Sequence, residues 1–371
     1  MQSFLNKKFD LFFFLTIASL SFIALGNIFL SLFLFILIIL KEKVKIDFQS
    51  SFLILYVIFS IFSIIFSVDF YRSLPEGKEI LNFLAYFIFL AYFLKKRKNS
   101  NLIFPFLILS LFLSLYGIFE FIFKNLKDSN YRIHGLQSHY MTYSGILLIY
   151  FAILISYSLF GENLKLKRLS FFSSILTILP IFLSLTRNVW IGFFTIIFFL
   201  FLFFKKKYLI PFIAIPVILV LIFPSTIGKR VYSIIDLKDK TNFDRIKMWQ
   251  ASLKISLKKP ITGFGLGIPQ KDYIFFKEEG AVRSRTPHFH SNIFQILPER
   301  GIFALLSYFG FIITSLINSY KKRFKWQGLG SFLALMGISI AGFFEFNFGD
   351  TEILWLTLLS SNLHREIDED I

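Results

Sequence analysis

The 371-residue chain has no cysteine. This removes disulfides, iron–sulfur clusters and thiol nucleophiles from its chemistry and leaves its compartment open. Charge is scarce too: 17% of residues are charged, and 23 acidic residues stand against 40 basic ones. No soluble domain, internal repeat or linker is visible. What fills the chain is hydrocarbon, at 56% hydrophobic residues and a mean hydropathy of +0.68. The apolar stretches recur from end to end, as expected for an all-α, polytopic integral membrane protein. The net charge of +17 raises nucleic acid as a partner. The lysines, however, come in short clusters between apolar runs rather than on one basic module, so membrane orientation explains the charge better and no nucleic-acid partner is expected.

Set against the ~20 residues that cross a bilayer as helix, the apolar runs give about twelve spans. They lie near 9–26, 28–40, 51–68, 79–94, 102–123, 141–160, 170–186, 189–204, 208–224, 291–318, 329–346 and 351–363. The first is read as a retained span rather than a signal peptide, because a second apolar run follows it at once. The basic connections 41–45, 95–98, 165–168, 205–207 and 321–325 all follow even-numbered spans. By the positive-inside rule they and both termini are cytoplasmic. The whole chain, 1–371, then reads as one membrane domain whose single long connection, 225–290, is external and partly helical.

Polar residues gather on the expected outer side. Arg187 sits in "SLTRNVWIG", a tight turn between spans seven and eight. Arg72, Arg132, His134, His139, Arg245, Arg283, Arg285, His288 and His290 share that face. A lone arginine at a helix end reads as an interfacial anchor; several together point to an anionic ligand, because guanidinium forks pair with phosphate oxygens. Both readings of Arg187 stay open. In the long connection, "NFDRIKMWQASLKISLKKP" (242–260) places Ile246, Trp249, Leu253 and Leu257 at helical spacing. It predicts an amphipathic helix on the outer leaflet, ended by Pro260. "GFGLG" (263–267) is similar to a phosphate-cradling loop but lacks the strand–loop–helix setting, so a flexible turn is the better reading.

In "PHFHSNIFQILPERGIFALLSYFG" (287–310), Ser291, Asn292, Gln295 and Glu299 recur at three- and four-residue steps and predict a polar stripe along an apolar helix, with two histidines at its mouth. The stripe is either a solvated helix cap or a base with its orienting groups. Zinc is the poorer alternative, since no further ligands show metal-site spacing.

The segments "SLTRNVWIG", "DRIKMWQASLKISLKKPITGFGLG" and "HSNIFQILPERGIFALLSYFG" together resemble the O-antigen ligase and Wzy polymerase superfamily over about 172–316. The resemblance implies transfer of a preassembled glycan from undecaprenyl diphosphate to the lipid A core, or, in a polymerase, to a growing glycan. Such transfer takes place at the periplasmic face of the bacterial inner membrane and needs no metal, nucleotide or other cofactor. It implies Arg187 and Arg245 as diphosphate ligands and His290 as the base that activates the acceptor. Arg132, His139, His288, Asn292 and Glu299 are looser substrate-binding candidates, with His288 competing for the base role. A transporter or flippase of lipid-linked sugars is the alternative from another class. It would place its ionisable groups near the bilayer midplane, whereas here they gather at outer helix ends.

Overall fold

The computed structural model describes residues 2–42, 44–95, 102–125, 131–204, 210–236 and 239–367. Among these residues every regular element is helical. The principal helices are α1 (Gln2–Ser19), α2 (Ile23–Ile39), α3 (Phe48–Ile65), α4 (Leu84–Lys95), α5 (Ile103–Asn125), α6 (Tyr140–Phe160) and α7 (Leu164–Leu183), followed by α8 (Arg187–Phe203), α9 (Ile210–Ile222), α10 (Lys229–Ile235), α11 (Lys240–Lys258), α12 (Asn292–Lys321), α13 (Trp326–Ala341) and α14 (Thr351–Leu363).

A helix stands at each of the twelve expected apolar stretches, although the first two are displaced toward the N-terminus. By length and composition alone, fewer stretches meet the requirement for a crossing. Six stretches qualify: α3, Phe70–Lys95, α5, α6, α7 and α12. The bent pair Ile210–Ile222 and Pro224–Ile234, with a 102° angle, makes a seventh if it is one span. α2, α8 and α13 are apolar but have 17, 17 and 16 residues, short of the ~20 that a straight crossing needs.

The centre of the bundle is α6. Of its apolar window 83% is buried, against 39–50% in the other qualifying stretches, which leaves it almost no face for lipid. It packs on α7 and α13. α13 in turn touches α8 backbone to backbone, since a Cβ on Gly192 would lie 2.6 Å from the Gly337 carbonyl oxygen. Small residues permit such close approach where apolar burial does not drive helices together.

Ion pairs mark the two ends of the bundle. At one end Lys95 pairs with Glu42, and Arg365 with Asp47 just before α3 (2.7 Å), while Lys322 Nζ donates to the His364 carbonyl (3.3 Å). The connections at 41–47, 95 and 322 therefore share one side with the end of α14. Residues 96–98 and 205–207 of the basic connections lie outside the described residues. At the opposite end of α3, Val68 N–H donates to the Phe264 carbonyl (3.0 Å), Arg72 pairs with Asp272 (2.6 Å) and Lys271 with Glu76 (2.7 Å). The segment 264–272 of the long connection thus covers that end.

α12 is broken near its start. Gly301 has φ 79° and ψ 179°, a conformation that only glycine adopts without strain. A Cβ there would meet the Ile261 carbonyl oxygen at 1.9 Å. The backbone groups freed by the break are taken up by the neighbouring turn: Ile302 N–H donates to the Pro260 carbonyl (2.8 Å), Phe264 N–H to Pro298 (2.8 Å) and Gly265 N–H to Glu299 (3.0 Å). "GFGLG" is therefore a turn, and one pinned to the break in α12.

α11 forms as expected and ends before Pro260, but it packs by a different face. Met248, Ala251 and Ile255 are buried against Tyr273 and Phe289. Of the predicted apolar row, Trp249 stacks on Phe294 and donates to the Phe289 carbonyl (2.9 Å). Leu253 and Leu257 remain exposed at 45% and 79%.

Candidate functional site

Between the N-terminal ends of α6, α8 and α11 and the C-terminal end of α13 lies a cavity of about 710 Å³. Arg187, Arg245, Arg132, His139, His288 and His290, which come from four distant stretches of sequence, all line it.

The Arg187 wall is built around a strained turn. After α7 the chain reverses through Leu185, whose φ is +54°, and α8 begins at Arg187. Arg132 holds this turn by donating from Nε to the Ser184 carbonyl (3.1 Å) and from Nη2 to the Leu185 carbonyl (2.8 Å). Its guanidinium carbon lies over the Tyr140 ring, 3.3 Å from the centroid. Burial, and then the charges of Arg230 and Arg187, outweigh the opposing pull of Tyr140 and bring Arg132 down to about 10. Arg187 is buried; Nη1 donates to the Ser233 carbonyl (2.8 Å) and hydroxyl (3.0 Å) and pairs with Asp239 (3.2 Å). His139 caps α6, its Nδ1 accepting from Met141 N–H (3.3 Å).

The opposite wall is organised by a residue that sequence reasoning passed over. Glu345 was expected inside a span over 329–346, but α13 ends at Ala341, which places Glu345 in the turn beyond it. Its buried carboxylate lies 3.1 Å from His290 Nδ1, 3.3 Å from His288 Nδ1 and 3.3 Å from Arg245 Nη2. Burial pushes the Glu345 carboxyl up. The hydrogen bond from His290 and the charges of His290, His288 and Arg245 more than offset this and leave it at about 2. Burial does the reverse to His288, lowering it to about 4 despite Glu345. His288 is therefore neutral and Glu345 ionised at neutral pH. Arg245 has one further donor, its buried Nε, without a partner.

His290 has φ +51°, unusual for a non-glycine residue and costing on the order of 1 kcal/mol. Its neighbours enforce it: Phe289 N–H donates to Gln295 Oε1 (2.8 Å), and His290 N–H to His288 Nδ1 (3.2 Å). His288, His290 and Glu345 also have the donor types and closeness to hold a metal ion, with one ligand atom of each within 4.8 Å of the others.

Asn292 and Glu299 do not line the cavity. Asn292 donates to Asn347 Oδ1 (2.8 Å) and to the Tyr308 hydroxyl (3.1 Å) and accepts from Phe348 N–H (3.0 Å), bracing the turn that carries Glu345. Glu299 accepts from Gly267 N–H (3.0 Å), Gln270 (2.8 Å) and Gln295 (2.8 Å). The polar stripe of α12 thus binds its own loops. Besides Glu345, the cavity gains Asp350, Arg230 and the pair Arg283–Asp244 (3.2 Å). Two carboxylates in "GFFEFNFGD", Glu345 and Asp350, at the end of an apolar run, were the legible signal for this wall.

Among curated proteins none matches the chain. The family model described as O-antigen ligase matches residues 172–309, a segment that contains Arg187, Arg245, His288 and His290 but neither Arg132 nor Glu345. Residues 172–309 are thus similar to an O-antigen ligase domain, which supports an O-antigen ligase-like reading of this part of the chain.

Proposed function

We propose that the protein is a glycosyltransferase that moves a preassembled glycan from undecaprenyl diphosphate to the lipid A core. The observation that carries this reading is one cavity holding two kinds of machinery: guanidinium groups suited to a diphosphate, and a histidine whose Nδ1 is held by a buried carboxylate. Glu345 fixes the ring of His290 and favours the tautomer with the proton on Nδ1, so that Nε2 has the free electron pair. In the proposed step the acceptor oxygen attacks the anomeric carbon and gives its proton to His290. The bond from that carbon to the phosphate oxygen breaks, and its electron pair leaves with the diphosphate. Arg187 and Arg245 stabilise the charge that develops there. Attack opposite the leaving group inverts the anomeric centre in one displacement, with no covalent intermediate and no metal.

In this reading the chain is a multi-pass protein of the bacterial inner membrane, with twelve crossings, cytoplasmic termini and a periplasmic cavity. The exposed Leu253 and Leu257 of α11 face the outer leaflet, and the lipid parts of donor and acceptor enter between helix ends. The test is glycan transfer by purified protein from a lipid-diphosphate donor, offered either lipid A core or a second donor molecule as acceptor. Transfer to lipid A core is expected. Transfer only to the second donor makes the protein a polymerase, and transfer to neither overturns the proposal.

A further inference from the structure

Five arginines line the cavity against three carboxylates, Asp244, Glu345 and Asp350. Four of the five are engaged: Arg132 on the carbonyls of the 184–185 turn, Arg187 on Ser233 and Asp239, Arg245 on Glu345, and Arg283 on Asp244. Among the described residues, the side chain of Arg230 alone of these five has no hydrogen-bond or ion-pair partner. It is half-buried, so water screens it only in part. Arg132, Arg187 and Arg230 line the same cavity, and the charges of Arg230 and Arg187 both lower Arg132.

Arg230 is also held in place. It lies on α10, after the 102° bend that turns the chain away from α9. The Ser233 hydroxyl, one turn on, donates to the Arg230 carbonyl (2.8 Å), and Arg187 Nη1 donates to the Ser233 carbonyl (2.8 Å). Asn242 Nδ2 ties the other end of α10 to α11 through the Ser233 and Asp236 carbonyls (2.8 Å each). Arg187 and the backbone of Arg230 are therefore linked through Ser233. Asp239 answers one of the three charges, and the excess that remains is spread over three guanidinium groups, more donors than the oxygens of a single phosphate can engage together. Two linked phosphates can.

We propose that Arg132, Arg187 and Arg230 form a clamp for two linked phosphates, in which Arg230 contacts the second phosphate and makes the site select a lipid diphosphate over a lipid monophosphate. This rests on the reading of the cavity as a polyprenyl-diphosphate site and adds to it a residue and a basis for selectivity.

The experiment is calorimetric titration of the purified full-length protein in detergent with farnesyl diphosphate and with farnesyl monophosphate. Arg230→Gln should weaken diphosphate binding by about 10- to 100-fold, as expected for losing a charge-assisted contact. Monophosphate binding should change by no more than about threefold. Arg230→Lys, which keeps the charge without the paired donors, should lie between, and it decides the matter if the glutamine variant does not fold. Diphosphate binding at the wild-type level in the variants, or equal loss of both ligands, overturns the clamp while leaving the wider reading intact. A wild-type protein that binds neither ligand overturns both.

Discussion

At the scale of single residues, Arg187 and His290 do different work, and substitution should separate them. Arg187→Ala removes a diphosphate ligand and also the bond that ties α10 to α8. Transfer should fall by about 100-fold or more, with a stability loss of about 1–3 kcal/mol from the lost ion pair to Asp239 and the lost hydrogen bonds to Ser233. Arg187→Lys keeps the pairing to Asp239 and should restore stability more fully than activity. Transfer rate and melting temperature on the same preparations check this; an Arg187→Ala protein with full activity would leave Arg187 as an interfacial anchor. His290→Ala should abolish transfer, by about 100-fold or more, while donor binding persists. Glu345→Gln should act in the same direction through the tautomer and ring position of His290. His288→Ala should be milder, because a neutral His288 serves the backbone of His290. If His288→Ala is inactive and His290→Ala transfers normally, the base is His288.

At the scale of elements, the break in α12 decides where the histidines stand. The 260–265 turn enters at Gly301, and the short helical piece before the break carries Asn292, Gln295 and Glu299, which brace the 289–290 backbone, the Glu345 turn and the "GFGLG" loop. Gly301→Ala would force a Cβ against the Ile261 carbonyl at a φ that alanine resists. A destabilisation of about 2 kcal/mol or more is expected, together with lost transfer although residue 301 is outside the cavity. Thermal unfolding in detergent checks this, and an unchanged melting temperature would mean that the break can be rebuilt without glycine. Helical periodicity predicted α12 and its polar stripe. It did not predict the break, because the partner that satisfies the freed backbone groups comes from a turn some 40 residues earlier.

At the scale of the whole molecule, the ion pairs Lys95–Glu42 and Arg365–Asp47 and the contacts of Phe264 and Asp272 with the other end of α3 separate two faces of the bundle. Reporters fused at Lys322 and within 265–280 should therefore read opposite sides of the membrane, cytoplasmic and external respectively. A cytoplasmic signal from 265–280 would remove the proposed periplasmic site. The number of crossings belongs to this scale too: the twelve apolar stretches are all helical, but six or seven are long enough to cross unaided. The shorter ones, α2, α8 and α13, pack along neighbours that do qualify or share their interfaces.

Local pattern alone determined much of this protein: that it is helical, where its apolar helices lie, that arginines and histidines gather at one end, and that the 172–309 segment is O-antigen ligase-like. These properties depend on composition and on spacing within a few turns, so a linear reading captures them. Only the tertiary structure decided which polar residues meet. Glu345 acts on His288, His290 and Arg245 across 55 to 100 residues of chain, Arg132 reaches the 184–186 turn from an earlier connection, and Arg230 arrives on a bent helix. Asn292 and Glu299, which shared the stripe beside the histidines, bind neighbouring loops and do not line the cavity. The reason is geometric. A buried charge is positioned by whichever distant donors and acceptors can repay its desolvation, and those partners leave no mark at neighbouring positions in the sequence.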